Sequence, residues 1–330
     1  MKITIDGHFD LLYDVLRKRQ MGKTHVIEND FLDDLKKGGV NVLVSSLFID
    51  SQFIPEMALR RGLDQINSLY EEIEESGDKI QLCKNVDDMN KALELNKLGI
   101  FLSFEGIEPI YNDLGLLRIF YELGVRLMGL TWSRRNYAAD GVYFSPVEEG
   151  QVGGLTNFGY RVVRRAQELG IIIDVSHLNE PGFWDLMKIT KDPIIASHSN
   201  CKGLVDVSRN LSDEQIRAIA HTGGVIGINA ANMFVSKDNN SANYKSYVNH
   251  VDYICNLVGH KHVALGFDLC DHIRKYEYKE DKDNKFFDVI KNHSQVYKIK
   301  EELKLRGYTE EHIDDILGQN WIRVYDKVLK

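Results

Sequence analysis

Eight short apolar runs recur along this 330-residue chain, and each ends in small or polar residues. They occupy residues 3–6 (ITID), 41–49 (NVLVSSLFI), 100–106 (IFLSFEG), 126–132 (RLMGLTW), 171–177 (IIIDVSH), 193–199 (PIIASHS), 224–230 (GVIGINA) and 262–268 (HVALGFD). Most are too uniformly apolar to alternate between a wet and a dry face, as expected of strands buried on both sides. Between them lie segments with helical spacing. Phe158, Val162, Val163, Ala166 and Leu169 form one stripe, closed by Gly170; Leu116, Leu117, Phe120 and Leu123 form another, followed by Gly124. Ser212 to Gln215 is a capping-type start ahead of Ile216, Ile219 and Ala220. Strands alternating with helices imply right-handed crossovers and a parallel sheet. Eight such units predict an α/β fold, a single (β/α)8 TIM barrel over residues 1–330 as one domain. A doubly wound open sheet is the alternative, and no GxGxxG or GKS/T phosphate loop supports it.

Composition narrows the partners. The chain carries 41 basic and 49 acidic side chains, a net charge of −8, which argues against non-specific binding to nucleic acid or an anionic membrane. No apolar run approaches the roughly 18 residues of a membrane span. The opening MKITIDGHFD reads as a strand, not as a secretory signal. Cys83, Cys201, Cys255 and Cys270 are widely spaced and form no CxxC pair, which suits a reducing cytosol; a cytoplasmic location is expected. The most charged stretch, residues 271–285, reads as a solvated loop on the rim of the barrel.

In a barrel of this kind the chemistry gathers at the C-terminal ends of the strands. The first run leads into His8 and Asp10; the third ends in Glu105, the fifth in His177, the sixth in His198 and the eighth in Asp268. His8 and Asp10, two residues apart on a strand, point the same way. Singly, each has an ordinary reading: a hydrogen-bonded loop histidine, or an acid capping the next helix. Together they place three imidazoles and three carboxylates on one rim, a donor set that suits zinc and also manganese or cobalt. The histidines at 25, 221, 250, 260, 262, 293 and 312 fall in helices, loops or strand starts and read as structural; His272 is undecided.

These residues carry a resemblance. DGHFD at 6–10, FEG at 104–106, GLTNFG at 154–159, IDVSH at 173–177, ASHSN at 196–200, RNLSDEQIRAIA at 209–220, GGVIGIN at 223–229 and GFD at 266–268 resemble, in order and spacing, the membrane dipeptidase (renal dipeptidase) family of zinc metallopeptidases, which have amidohydrolase-like barrels. The resemblance runs over nearly the whole chain and implies two zinc ions per chain. His8 and Asp10 would bind one, His177 and His198 the other, and Glu105 would bridge them. A metal-bridging hydroxide would then attack the peptide bond of a dipeptide. Asp268 would shuttle the proton and lie near the substrate amine, and Arg209 would pair with the terminal carboxylate. Without the family, Arg209 reads equally well as a surface ion pair with Asp213 or Glu214. The family commonly forms homodimers, so a homodimer is expected.

One position departs. Family members place a substrate-holding histidine at the end of the fourth strand, where this chain has Trp132. The ligand set does not depend on it; the substrate range does. Arg134, Arg135, Asn136 and Tyr137 follow as pocket contacts or ordinary rim residues. Two other classes stay open: a barrel amidohydrolase acting on an N-acyl amino acid, cyclic amide or lactone, and a metal-free binding protein on a former enzyme scaffold. The intact ligand set argues against the second.

Overall fold

The structure is a computed structural model that describes residues 2–144, 147–148, 150–277 and 286–330. Among the described residues nine strands form one sheet: β1 Ile5–Phe9, β2 Val42–Phe48, β3 Ile80–Leu82, β4 Leu98–Glu105, β5 Val125–Gly129, β6 Ile172–Asp174, β7 Ile195–Ala196, β8 Val225–Ile228 and β9 Val263–Leu265. Eight of them run β1-β2-β4-β5-β6-β7-β8-β9 with every pairing parallel. Helices lie between successive strands, as a TIM barrel requires. The seam between β9 and β1 is closed partly by a side chain. Asp268 N donates to His8 O at 3.0 Å, and Phe267 N donates to the Asp6 carboxylate at 2.9 Å. Asp6 also meets His293 Nε2 at 2.8 Å, so this histidine is a brace of the seam.

Four sequence expectations are corrected. The ninth strand, β3, escaped notice because it is three residues long and carries Gln81 between apolar neighbours. It pairs with Leu98–Ile100, the lower part of the β4 edge whose upper part, from Leu102, pairs with β5. The first strand ends at Phe9, so Asp10, expected on the strand with His8, comes directly after it. The fifth and sixth apolar runs pair over only three and two residues, because their polar ends leave the ladder and turn into the site. Of the charged stretch 271–285, residues 278–285 lie outside the described residues, and residues 271–277 are a helix rather than a loop.

The lower barrel is filled. Ile5, Val42, Val44, Phe101, Leu127, Ile172, Ile195, Val225 and Ala264 pack on Trp321, Val324, Tyr325 and Val328 of the helix Asn320–Val328, which plugs the bottom. Trp321 Nε1 donates to Leu265 O at 2.9 Å. Gly7 is required by this plug, since a Cβ there would lie 2.3 Å from the Trp321 ring. The helices around the outside follow their sequence signals. Ser212 and Gln215 form a reciprocal capping box on the helix Asp213–His221. Gly170, at φ 76°, ends the helix Asn157–Leu169, a left-handed conformation that costs glycine little. Among the described residues no helix is long and apolar enough to cross a membrane. With the bottom closed, the open mouth is the C-terminal end of the strands.

Candidate metal centre

A bulge starts the site. Between Asp6 and Phe9 the first strand advances three residues while β2 advances two, from Leu43 to Ser45. An extra residue in one strand re-aims the side chains beyond it. His8 turns into the mouth, and its ring lies 3.7 Å from that of His198. Phe9 turns outward onto Phe31 and His293. Asp10 comes directly after the strand and accepts a short hydrogen bond from Ser46 Oγ. Glu105 is the last residue of β4. His177 and Asp268 sit just beyond β6 and β9 with left-handed backbones, φ 66° and 55°, conformations that a non-glycine residue holds only when its surroundings enforce them.

All five ligand candidates are buried and converge on Glu105. One carboxylate oxygen, Oε2, lies 3.5 Å from His8 Nε2, which is itself 3.8 Å from Asp10 Oδ1 and 3.9 Å from Asp268 Oδ1. The other, Oε1, lies 3.0 Å from His177 Nε2 and 3.6 Å from His198 Nε2. The two imidazole nitrogens are 2.9 Å apart. Glu105, His177 and His198 thus form one group of ligand atoms, and His8, Asp10 and Asp268 another. His8 Nε2 and Glu105 Oε2 are buried with no hydrogen-bond partner among the described residues. Buried polar atoms left this way are costly unless a proton or a cation joins them. The residues therefore fit a pair of cations with nitrogen and oxygen ligands.

The electrostatics differ across the centre. Burial works against a charged His8, yet the charges of Glu105, Asp10 and Asp268 hold its pKa well above the usual histidine value. Burial, then the neighbouring Asp10 charge, pushes Glu105 well above the usual carboxylate range. His177 and His198 are pushed well below the usual histidine value, first by burial and then by Arg209 and His8 respectively. Burial raises Asp268 to about 6.

Hydroxyl groups behind the ligands orient the rings. Ser197 Oγ donates its one proton to Asp174 Oδ2 at 2.5 Å. It can then only accept from His198 Nδ1 at 2.6 Å and His8 Nδ1 at 3.3 Å. Both rings are thereby assigned Nδ1–H, leaving Nε2 lone pairs toward Glu105. Ser133 Oγ lies in hydrogen-bond contact with His177 Nδ1 at 2.8 Å. Asp174 also accepts from Ser176 N and Ser197 N, which ties β6 to β7. Sequence reasoning missed Asp174, Ser197, Ser133 and Ser46. Asp174, the one acid in the fifth apolar run, was the available signal. Cys270 was missed as well: its sulfur lies 3.7 Å from Asp268 Oδ1 and 4.0 Å from Asp10 Oδ2. Burial and then Asp268 raise that thiol well above its usual pKa.

Asn229 Nδ2 donates to Asp268 Oδ2 at 2.8 Å and leaves Oδ1 toward the centre. Arg209 is buried, so the surface ion pair with Asp213 or Glu214 is ruled out. It reaches His198 O at 3.2 Å and Ser199 Oγ at 3.5 Å, and its Nε has no partner among the described residues. With His177, Ser199 and Lys202 it lines a cavity of about 30 Å³, room for a couple of waters or a carboxylate. Trp132 lies beside the centre, its ring 5.8 Å from that of His177. Of its neighbours, Arg134 pairs with Glu108 at 2.9 Å, Arg135 with Asp140, and Asn136 donates to Leu130 O; these brace the loop. His250, read as structural, takes Cys201 N at 3.1 Å and reaches Val235 O at 3.1 Å. His272 packs between Phe9 and Phe31, outside the cluster.

Comparison with known proteins places this geometry. A family model described as membrane dipeptidase (peptidase family M19) matches residues 1–330. A protein from the pqqA 5' region of Klebsiella pneumoniae is 32% identical over 268 residues, 80% of this chain and 94% of that protein. The solved structure of dipeptidase AC, a metallopeptidase of family M19, is 25% identical, with a TM-score of 0.86 over 100% of this chain and 99% of that one. A Rhodobacter sphaeroides metallopeptidase, solved with a phosphinate mimic of L-Ala-D-Ala, has the same TM-score over 99% of both chains at 23% identity.

Proposed function

Because this chain belongs to the membrane dipeptidase family and is a metallo-dipeptidase, we propose that it hydrolyses free dipeptides with two divalent cations, zinc by preference, held at the barrel mouth. The observation that carries the reading is the division of Glu105: one oxygen faces His8 and the other faces His177 and His198. That division suits a carboxylate bridging two ions, with His8 and Asp10 on one and His177 and His198 on the other. When bound, such a pair polarises the peptide carbonyl and supplies a hydroxide nucleophile near neutral pH.

The rest is done by the chain's own side chains. Asp268, aimed at the centre by Asn229, takes the proton of the attacking water at Oδ1 and passes it to the leaving amine. Arg209 pairs with the substrate's terminal carboxylate through the N–H groups facing its small cavity. Its guanidinium carries a desolvation cost, since burial lowers its pKa to about 10, and an incoming carboxylate offsets that cost. Reading the terminal charge favours dipeptides over internal peptide bonds. Trp132 meets the substrate by packing, with its single indole N–H as the only donor.

Elemental analysis of the purified protein should find close to two divalent metals per chain, and exhaustive chelation should abolish hydrolysis of a dipeptide panel. The panel includes D-residues at the second position, as in the mimic bound by the Rhodobacter relative. Full activity in protein free of metal would overturn the reading.

A further inference from the structure

Four aromatic rings that the hydrolytic chemistry does not use form a continuous wall beside the centre. Phe48 ends β2, Trp132 and Phe144 lie on the loop after β5, and Phe234 lies on the short helix Asn232–Val235 after β8. Successive ring centroids are 5.3, 5.5 and 6.2 Å apart, within the range of favourable aromatic pairs. The wall is tied to the ligands. Val142 N donates to His177 O at 2.7 Å, and Phe144 stands edge-on to the His177 ring at 6.1 Å. At the other end the Arg209 guanidinium lies 5.5 Å over the Phe234 ring, and Asn210 Nδ2 donates to Phe234 O at 3.1 Å. Arg209 and Phe234 are therefore one unit. Phe144 is 47% exposed, an unusual state for a phenylalanine packed on three other rings at a site mouth.

We infer that this wall selects the second residue of the dipeptide, and that the preferred substrates carry a large apolar, above all aromatic, side chain there. The inference rests on the reading of Arg209 as the carboxylate anchor. Carboxylate and side chain share one Cα, so a carboxylate held by Arg209 delivers that side chain to Phe234 and Phe144. The exposed Phe144 ring gains a partner, and the substrate side chain loses water. A polar or charged side chain would lose its hydration against rings that offer only the Trp132 N–H.

The test is kcat/KM of the metal-loaded enzyme on Ala-Phe, Ala-Leu, Ala-Ala and Ala-Ser, with second residues of both configurations. Wild type should favour Ala-Phe over Ala-Ala by at least about tenfold, mainly through KM. Phe144→Ala should compress that ratio to within about threefold, and Phe144→Leu, which keeps apolar bulk, should retain most of it. A wild-type ratio of one or less overturns the inference, as does a Phe144→Ala variant that slows both substrates equally. Arg209→Met, assayed on Ala-Phe and its amide, separates the two levels. If acid and amide slow alike, the anchor is wrong and the inference falls with it. If only the acid slows while wild type shows no preference, the anchor stands and the wall alone is refuted.

Discussion

The two halves of the centre are built from different chemistry. On the β1 and β9 side, His8 is surrounded by Asp10, Asp268 and one oxygen of Glu105, and their charge holds its pKa well above the usual histidine value against burial. On the β6 and β7 side, His177 and His198 face each other at 2.9 Å, kept neutral by burial and by nearby positive charge. One half draws positive charge strongly, and the other offers lone pairs with only Glu105 to balance a cation. We expect the halves to hold their ions unequally and to divide the labour: proton handling at Asp268 in the carboxylate half, substrate anchoring at Arg209 and the aromatic wall in the imidazole half.

The harshest way to break the comparison is to remove what both halves share. Glu105→Ala should weaken both ions and abolish turnover, whereas His177→Ala should lose mainly one, taking the stoichiometry from about two to about one. Metal titration with elemental analysis reads both, and equal loss in the two variants would mean that the halves are not separable. Next in size, Asp268→Asn should keep its metal and lose about 10² to 10⁴ in kcat. Turnover within a few-fold of wild type would move the proton role away from the carboxylate half.

Asp174→Asn sharpens the comparison, because Ser197 touches one imidazole of each half. Loss of the carboxylate frees the hydroxyl proton and removes the reason for both Nδ1–H assignments. Metal affinity should fall by about 10- to 100-fold. The closer His198 contact predicts the larger share at the imidazole half, and competition with a chelator of known affinity resolves the two steps. The smallest effect is expected at Trp132. Trp132→His should reorder the dipeptide panel by a few-fold while metal content stays at wild-type level. An unchanged ranking would make Trp132 a packing residue of the rim.

Much of the site was legible in the sequence because barrels put their chemistry at strand ends. The residue types at 8, 10, 105, 177, 198 and 268 stood where a parallel strand hands over to a loop, and the structure gathers all six within one cluster. Arg209 was ambiguous from its sequence neighbours, and its burial removes the surface ion pair as a reading. The strand β3 was illegible because a three-residue strand flanking one edge needs no hydrophobic run of its own. Asp174 looked like an unremarkable strand acid; only its place between β6 and β7 makes it a partner of Ser197. Phe144 and Phe234 are 90 positions apart in a chain with 14 phenylalanines, and nothing local joins them.

Periodicity and residue type by themselves determined the α/β barrel, the direction its mouth faces and the donor set on the rim, since burial on both faces and strand-to-loop handover are written locally in the chain. Tertiary structure alone decided which atom each donor presents. The bulge that turns His8 rather than Phe9 inward, the division of Glu105 between two groups, the Ser197 proton committed to Asp174 and the stacking of Phe144 on Phe234 all depend on distances between remote segments. Those distances exist only once the sheet has closed on itself and the Trp321 plug has set how the strands lie.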